Sequence, residues 1–347
     1  MALGYEGPMT ASQTDAPPGP GWFRRLLRLL RHVGFVLLVL LGSAWTATAL
    51  VIQLAGLTRV LALVALATLA GATLIFRFRN RQHAWACLAF GVALTAGWYQ
   101  SIHPRDDRDW DFDVAHGVTA EIDSPVVTLH NVRDFTWTSD STAEVVWRDM
   151  TVNLDQMTGL DIFTSVWDSP DIAHLIVSFG FEGGQHIAFS VEIRREKGEA
   201  FSTIGGFFRQ FELVLIAATE RDVVKLRTNF RKEDVHLYPI RLDSARRQKL
   251  FLEFLALGND LAAEPRFYNT ITANCTSVVF LLVRSFVPSL PLDRRIILSG
   301  RLPEYLDELG ALQGDMPMAE RRKAAAITEW AQGILPGQDY SVFIRAR

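Results

Sequence analysis

Three uncharged apolar stretches, Val33–Thr58, Val60–Phe76 and Ala84–Ile102, constrain this chain more than any other feature of its sequence. Each is near the roughly 20 residues that a helix needs to cross a bilayer, the second being the shortest. Arginine lies almost wholly on one side of them. Arg24, Arg25, Arg28 and Arg31 precede the first stretch, Arg77, Arg79 and Arg81 separate the second from the third, and Arg59 alone marks the tight turn between the first two. The excess of cytoplasmic basic residues in membrane proteins then puts the N-terminus in the cytoplasm and everything after Ile102 across the membrane. Trp98 and Tyr99 suit an interfacial belt at that exit. The small residues Ala44 to Ala49 also permit a signal-peptide reading, against which stand the long segment before them and the two further spans. Residues 1–32, with Pro17, Pro18 and Pro20 among Ser, Thr and Gly, read as a disordered, basic cytoplasmic tail. The expected plan is that tail, three transmembrane helices over 33–102, and one soluble domain over 103–347.

Charge divides at the same boundary. Residues 1–102 hold 8 basic and 2 acidic residues, whereas residues 103–347 hold 27 basic and 36 acidic ones. An acidic outer domain argues against nucleic acid as a partner. There is no internal repeat, no glycine-rich phosphate loop and no paired-cysteine zinc signature, so neither a cofactor nor a metal is expected.

Of the two cysteines, Cys87 falls within the third apolar stretch and Cys275 in the soluble part, which makes a disulfide between them implausible. Cys275 stands where the polar run Tyr268-Asn269-Thr270-Ile271-Thr272-Ala273-Asn274 gives way to the apolar run Val278 to Val283. Asn274 and Thr272 are both competent N-caps and Pro288 closes the run, so the segment reads as a buried helix with a thiol in its first turn. The positive end of a helix favours thiolate, and adjacent backbone N–H groups can hold an oxyanion. A small buried hydrophobe that happens to be cysteine is the competing reading.

The soluble domain reads as α+β. Asp106 to Asp113 looks like a charged linker. Val126 to Val132, Ala143 to Val152, Leu213 to Ala217 and Val235 to Ile240 read as strands, and Arg221 to Thr228, Ser244 to Asp260, Cys275 to Phe286 and Met318 to Gln332 as helices. His174 to Ile193 forms two alternating strands around Glu182-Gly183-Gly184. Leu175, Val177, Phe179 and Phe181 share one face of the first, and Ile187, Phe189, Val191 and Ile193 one face of the second. A three-residue loop keeps both sets together by pairing residues whose numbers sum to 366, so that His174 faces Glu192. The opposite face carries His174, Ser178, His186, Ser190 and Glu192, which reads either as a solvated polar face or as a base with its orienter. His186 lies too far along the strand from His174 to be its direct partner. Arg209 and Gln210 follow Gly205-Gly206-Phe207-Phe208 and suit an anionic head group or an ordinary turn; Tyr268 and Asn269 shape the thiol loop, either being able to donate to an oxyanion. His130 and His236 read as structural histidines, and Trp137, Trp147 and Trp167 as core.

The order of strand histidine, glycine turn, second strand and a much later Asn-Cys-Thr at a helix start resembles the Lnb N-terminal periplasmic domain family. The stretches Asn131 to Phe135, Ala173 to Phe179, Gly206 to Gln210, Leu226 to Asn229 and Phe267 to Thr276 carry the resemblance, which covers roughly residues 105 to 335. It implies a bacterial inner-membrane protein, a permuted papain-like cysteine domain facing the periplasm, and lipoprotein N-acylation, in which an acyl chain passes to the α-amine of a lipidated N-terminal cysteine. Membrane lipid and lipoprotein are then the expected partners. Carried over, Cys275 is the nucleophile and His174 the base. The same order of histidine before cysteine marks permuted lecithin-retinol acyltransferase-like enzymes, whose third polar residue lies twelve after the histidine. That position is His186 here, whereas the hairpin register points to Glu192, and both stand, with Asn274, Tyr268 and Arg209 as auxiliaries. A thiol peptidase or amidase acting on peptidoglycan and a non-enzymatic envelope assembly protein are the alternatives.

Overall fold

Apolar helices without proline or acidic residues open the chain, because a helix satisfies its own backbone groups where water is absent. In the computed structural model, which describes residues 21–166 and 168–346, the chain falls into two units, Met1–Ser101 and Ile102–Arg347. The first twenty residues of the expected tail and Trp167 lie outside the described residues. From Gly21 onward the expected tail is helical instead.

The first unit consists of α1 (Gly21–Gln53), α2 (Gly56–Arg79) and α3 (Arg81–Gln100). The first expected span therefore ends early: the turn falls at Leu54 and Ala55, ahead of Arg59, whose Nε donates to the Leu54 carbonyl at 2.6 Å. Asn80 ends α2 and caps α3, its Oδ1 accepting from the N–H groups of Gln82 and His83. α1 and α2 are long and apolar enough to cross a membrane. α3, with Gln82, His83, Trp98 and Tyr99 among its 20 residues, falls short of the same standard. Leu37, Leu38, Leu40 and Leu41 on α1 and Leu57, Val60 and Leu61 on α2 face outward, a pattern that suits hydrocarbon rather than water. Phe35, Val39 and Ala84 form a small core, and the buried Arg77 guanidinium lies 4.8 Å from the Phe35 ring.

The second unit is α+β, as its sequence predicts. Its strands are β1 (Thr119–Asp123), β2 (Val126–Arg133), β3 (Thr136–Trp137), β4 (Ala143–Glu144), β5 (Trp147–Asn153), β6 (Met157–Val166), β7 (His174–Phe181), β8 (His186–Arg194), β9 (Glu212–Ala218) and β10 (Asp234–Pro239). Eight of them form one sheet in the order β1-β2-β9-β8-β7-β6-β10, with β5 paired to β2; β3 and β4 pair apart from it. All partners run antiparallel except β2 and β9. The helices are α4 (Glu220–Lys225), α5 (Ser244–Ala263), α6 (Cys275–Phe286), α7 (Leu302–Glu308), α8 (Met318–Ala325), α9 (Thr328–Gln332) and α10 (Tyr340–Arg345).

The β7–β8 hairpin has the register that its alternation predicts: Ile176 faces Ser190, Val177 faces Phe189 and Phe179 faces Ile187. Gly183 and Gly184 turn it at φ +78° and +83°, a region that favours glycine. Its odd-numbered apolar side chains pack under α5 and α6, where the Phe189 and Phe254 rings stack at 4.8 Å and Phe179 meets Phe251 edge-on at 5.1 Å. The even-numbered face is not solvated. Ile176, Ala188, Val214 and Ile216 pack beneath Val223 and Val224 of α4, Ala331 of α9 and Tyr340 and Ile344 of α10. Every residue of β7 is consequently buried, and a polar side chain on that face must find a partner inside the protein.

Two further expectations are corrected. The charged segment before the domain is no free linker, since Arg108 pairs with Glu196, Lys197 with Asp109, and Arg195 with Asp111 and Asp113. The helix expected over Met318 to Gln332 breaks between α8 and α9, where Ala326 turns extended and bridges to His236 and the Ile327 N–H bonds the Val235 carbonyl.

Candidate active site

The first turn of α6 is built by Asn274, which the structure selects over Thr272 as the cap. The Asn274 carboxamide oxygen accepts from the N–H groups of Thr276 and Ser277, each at 2.9 Å, and the Ser277 hydroxyl accepts from the Asn274 N–H. This reciprocal cap fixes the direction in which the next side chain leaves the helix. The next side chain is Cys275, partly buried and in reduced form.

α6 packs against the β7–β8 hairpin, and there the thiol meets His174, the first residue of β7. Burial opposes ionisation of Cys275. A hydrogen bond with His174, the charge of that imidazole, the N–H of Leu175 and the Thr276 hydroxyl outweigh burial and bring the thiol pKa below its ordinary value. Beyond His174 the chain of contacts continues. Its Nε2 lies 2.6 Å from the Ser190 hydroxyl and 3.2 Å from Glu192 Oε1, while the Ser190 hydroxyl donates to the same Glu192 oxygen at 2.7 Å. Because an ionised carboxylate only accepts, the Ser190 proton goes to Glu192 and its lone pair accepts the Nε2 proton. Burial works against a charged imidazole, yet Glu192 carries its pKa up to about 9. Burial likewise works against the Glu192 carboxylate, but His174, Arg227 and Ser190 hold it well below the usual carboxylate range. The arrangement favours thiolate beside imidazolium, with one carboxylate balancing the charge.

Arg227, 3.2 Å from Glu192 through Nη2, was not among the expected site residues. It sits in the π turn that follows α4, and its Nη1 bonds the Val223 carbonyl at 3.2 Å. Two ion pairs fix α4 against the end of β2: buried Arg133 makes a fork to Asp222 at 2.9 and 3.0 Å, and Asp134 takes Arg221. The sequence signal was a cation directly after Val223-Val224-Lys225-Leu226, where a charge that becomes buried demands a partner. Ser190 was legible only as a member of the polar face.

The other expected residues lie elsewhere or play local parts. His186 is at the turn end of the hairpin, where its Nδ1 donates to the Gly184 carbonyl at 2.9 Å. It stands beside Asp161 and Glu220, with ligand atoms within 4.8 Å of one another in the manner of a metal set. The Arg345 guanidinium already fills that place, reaching Asp161 at 2.6 Å and Glu220 at 2.6 and 2.7 Å. Tyr268 lies against Gly206; burial, then the nearby Cys275 and Glu192, push its phenol pKa up. Arg209, at φ +57°, donates to the Ile102 carbonyl at 3.1 Å and covers the Phe267 ring. His130 pairs with Asp149 at 2.9 Å and His236 is buried; Trp137 is core, and Trp147 packs partly buried beside it. A cavity of about 740 Å³ lies at the His186 end, lined by Gly184, Glu220, Arg221 and Tyr340, and neither Cys275 nor His174 lines it.

No curated protein and no solved structure matches the chain. Residues 143–300 match the family model described as Lnb N-terminal periplasmic domain, an interval that contains β7, β8, the π turn with Arg227 and all of α6. Two apolar N-terminal helices ahead of such a domain fit a membrane-anchored protein. Residues 143–300, which hold the histidine strand and the cysteine helix, are thus similar to the Lnb N-terminal periplasmic domain family.

Proposed function

We propose that this protein is a membrane-anchored cysteine acyltransferase working on the periplasmic face of a bacterial inner membrane, with its N-terminus in the cytoplasm. The observation that carries this reading is the run of contacts Cys275, His174, Ser190 and Glu192 at a capped helix start. The order of a histidine strand before a cysteine helix fits a circularly permuted papain-like domain. The N-terminal arginines support the orientation.

In the first half-reaction the Cys275 thiolate attacks the carbonyl carbon of a phospholipid ester. Asn274 occupies the N–H groups of Thr276 and Ser277, so the Cys275 N–H is the first-turn donor left to meet the developing oxyanion, with Tyr268 at hand. The C–O bond then breaks. The imidazolium of His174 gives its proton to the departing alkoxide, leaving a lysophospholipid and a thioester on Cys275. In the second half an amine, such as the α-amine of a lipoprotein's N-terminal cysteine, attacks the thioester. His174 takes the amine proton, the C–S bond breaks, and an amide leaves with the thiolate restored. Tethering holds the site where the acyl donor is concentrated.

The deciding measurement is intact mass of the full-length protein after incubation with phospholipid vesicles. A hydroxylamine-labile acyl adduct on Cys275, absent in Cys275→Ser, is expected. Turnover to free fatty acid or cleaved peptidoglycan peptides without amide formation would make the enzyme a hydrolase. Absence of any adduct, together with an unreactive thiol, would reduce Cys275 to a buried hydrophobe.

A further inference from the structure

Nine consecutive uncharged residues, Ala200 to Phe208, lie within the connection from β8 to β9, against the loop that precedes Cys275. Three of their four large apolar side chains, Phe201, Ile204 and Phe207, are exposed by 55%, 59% and 42%, whereas Phe208 is buried. The loop ahead of Cys275 adds Ile271, exposed by 43%. The two loops are fastened together: the Thr270 hydroxyl donates to the Thr203 carbonyl at 2.8 Å, and Gly206 approaches so closely that a Cβ there would come within 2.3 Å of the Thr270 hydroxyl. The segment also meets part of its own backbone requirement, with Gly206 bonded to Ser202, Phe207 to Ile204 and Phe208 to Gly205. Self-satisfied backbone beneath outward apolar side chains is what a segment entering hydrocarbon requires.

We propose that Phe201, Ile204, Phe207 and Ile271 dip into the bilayer and seat the Cys275 site at the lipid surface. A bilayer is favoured over a protein partner by where the patch stands on the chain. Arg209, closing the same segment, donates to the carbonyl of Ile102, the residue at which the chain enters this unit, two positions beyond α3. The patch thus adjoins the point where the domain is tethered to the apolar helices. Tyr268, packed on Gly206 and felt electrostatically by Cys275, links patch to nucleophile. The proposal deepens the acyltransferase reading by giving the acyl chain its side of entry, and rests on it only for that purpose.

The test uses the full-length chain with Cys87→Ala and Cys275→Ser, a nitroxide label on Ile204→Cys, and nanodiscs of phosphatidylethanolamine and phosphatidylglycerol. A second label on Phe201→Cys guards against a variant that fails to fold, and one on Lys232→Cys, exposed in the turn before β10, serves as the aqueous reference. The ratio of oxygen to nickel-chelate accessibility should be about tenfold higher at 204 and 201 than at 232, as for depths of about 5–10 Å in an interfacial segment. Equal ratios would overturn the proposal. So would labels shielded from both reagents, which would mark a protein contact. The labelled protein has no thiol to acylate, so failure of the acyl-enzyme reading, scored by the missing adduct on wild-type Cys275, is a separate result.

Discussion

The β7–β8 hairpin carries a histidine near each end, and the two ends do different work. At the open end His174 has one carboxylate, Glu192, which a single arginine nitrogen touches at 3.2 Å. At the turn end His186 has two, Asp161 and Glu220, and both are gripped by the Arg345 fork at 2.6 to 3.0 Å. Glu192 carries His174 up to about 9, whereas Asp161 and Glu220 turn their oxygens to the Arg345 fork. Only the open end has a thiol. The same residue types on one face of one hairpin therefore make a candidate nucleophile site at one end and a structural clamp at the other, according to how the arginine sits.

The comparison breaks most directly at the thiol and its base. Cys275→Ala should abolish adduct formation, and His174→Ala should slow iodoacetamide alkylation at pH 6 to 7 by roughly a hundredfold or more, since the thiol returns toward its ordinary range near 8.5. Equal rates in wild type and His174→Ala would mean that the imidazole does not serve the sulfur. Glu192→Gln should come next, with a loss on the order of tenfold. Its alkylation profile against pH should also move to higher pH, because losing Glu192 weakens the imidazolium that stabilises thiolate.

At the other end the effect should be on stability. Arg345→Met leaves buried Glu220 and nearly buried Asp161 without their cation, a loss of about 3–5 kcal/mol in chemical denaturation. Burial then raises both carboxyl pKa values in the folded state above their unfolded values. The contribution of these two carboxyls to stability should be greatest below pH 4 and fall as pH rises through the raised folded values. A variant that is more stable at pH 8 than at pH 5 would contradict the clamp. The smallest effect belongs to His186→Gln, which should change the alkylation rate of Cys275 by less than about twofold. A loss comparable to that of Glu192→Gln would return His186 to the site.

Much of the hairpin could be read without a structure. Its two odd-numbered apolar sets admit one register, and that register brought His174 to Glu192. The helix start at Cys275 was equally legible, since Asn274 and the apolar run after it are local signals. What the sequence hid was the cover on the even-numbered face. Ser178, Ser190 and His186 read as well for a solvated face as for a site, because nothing in a strand's own pattern says that α4, α9 and α10, drawn from later in the chain, will close over it. Arg227 and Arg345 were hidden for the same reason: Arg227 meets Glu192 across 35 residues of sequence and Arg345 meets Glu220 across 125.

The sequence by itself determined the apolar N-terminal helices, the period-two hairpin and the capped cysteine helix, because each depends on side chains a few residues apart. Tertiary structure alone decided which carboxylates stand beside His186 and where the arginines fall. The interactions that set those charges act through space across a buried sheet, between residues whose separation along the chain carries no information about their distance.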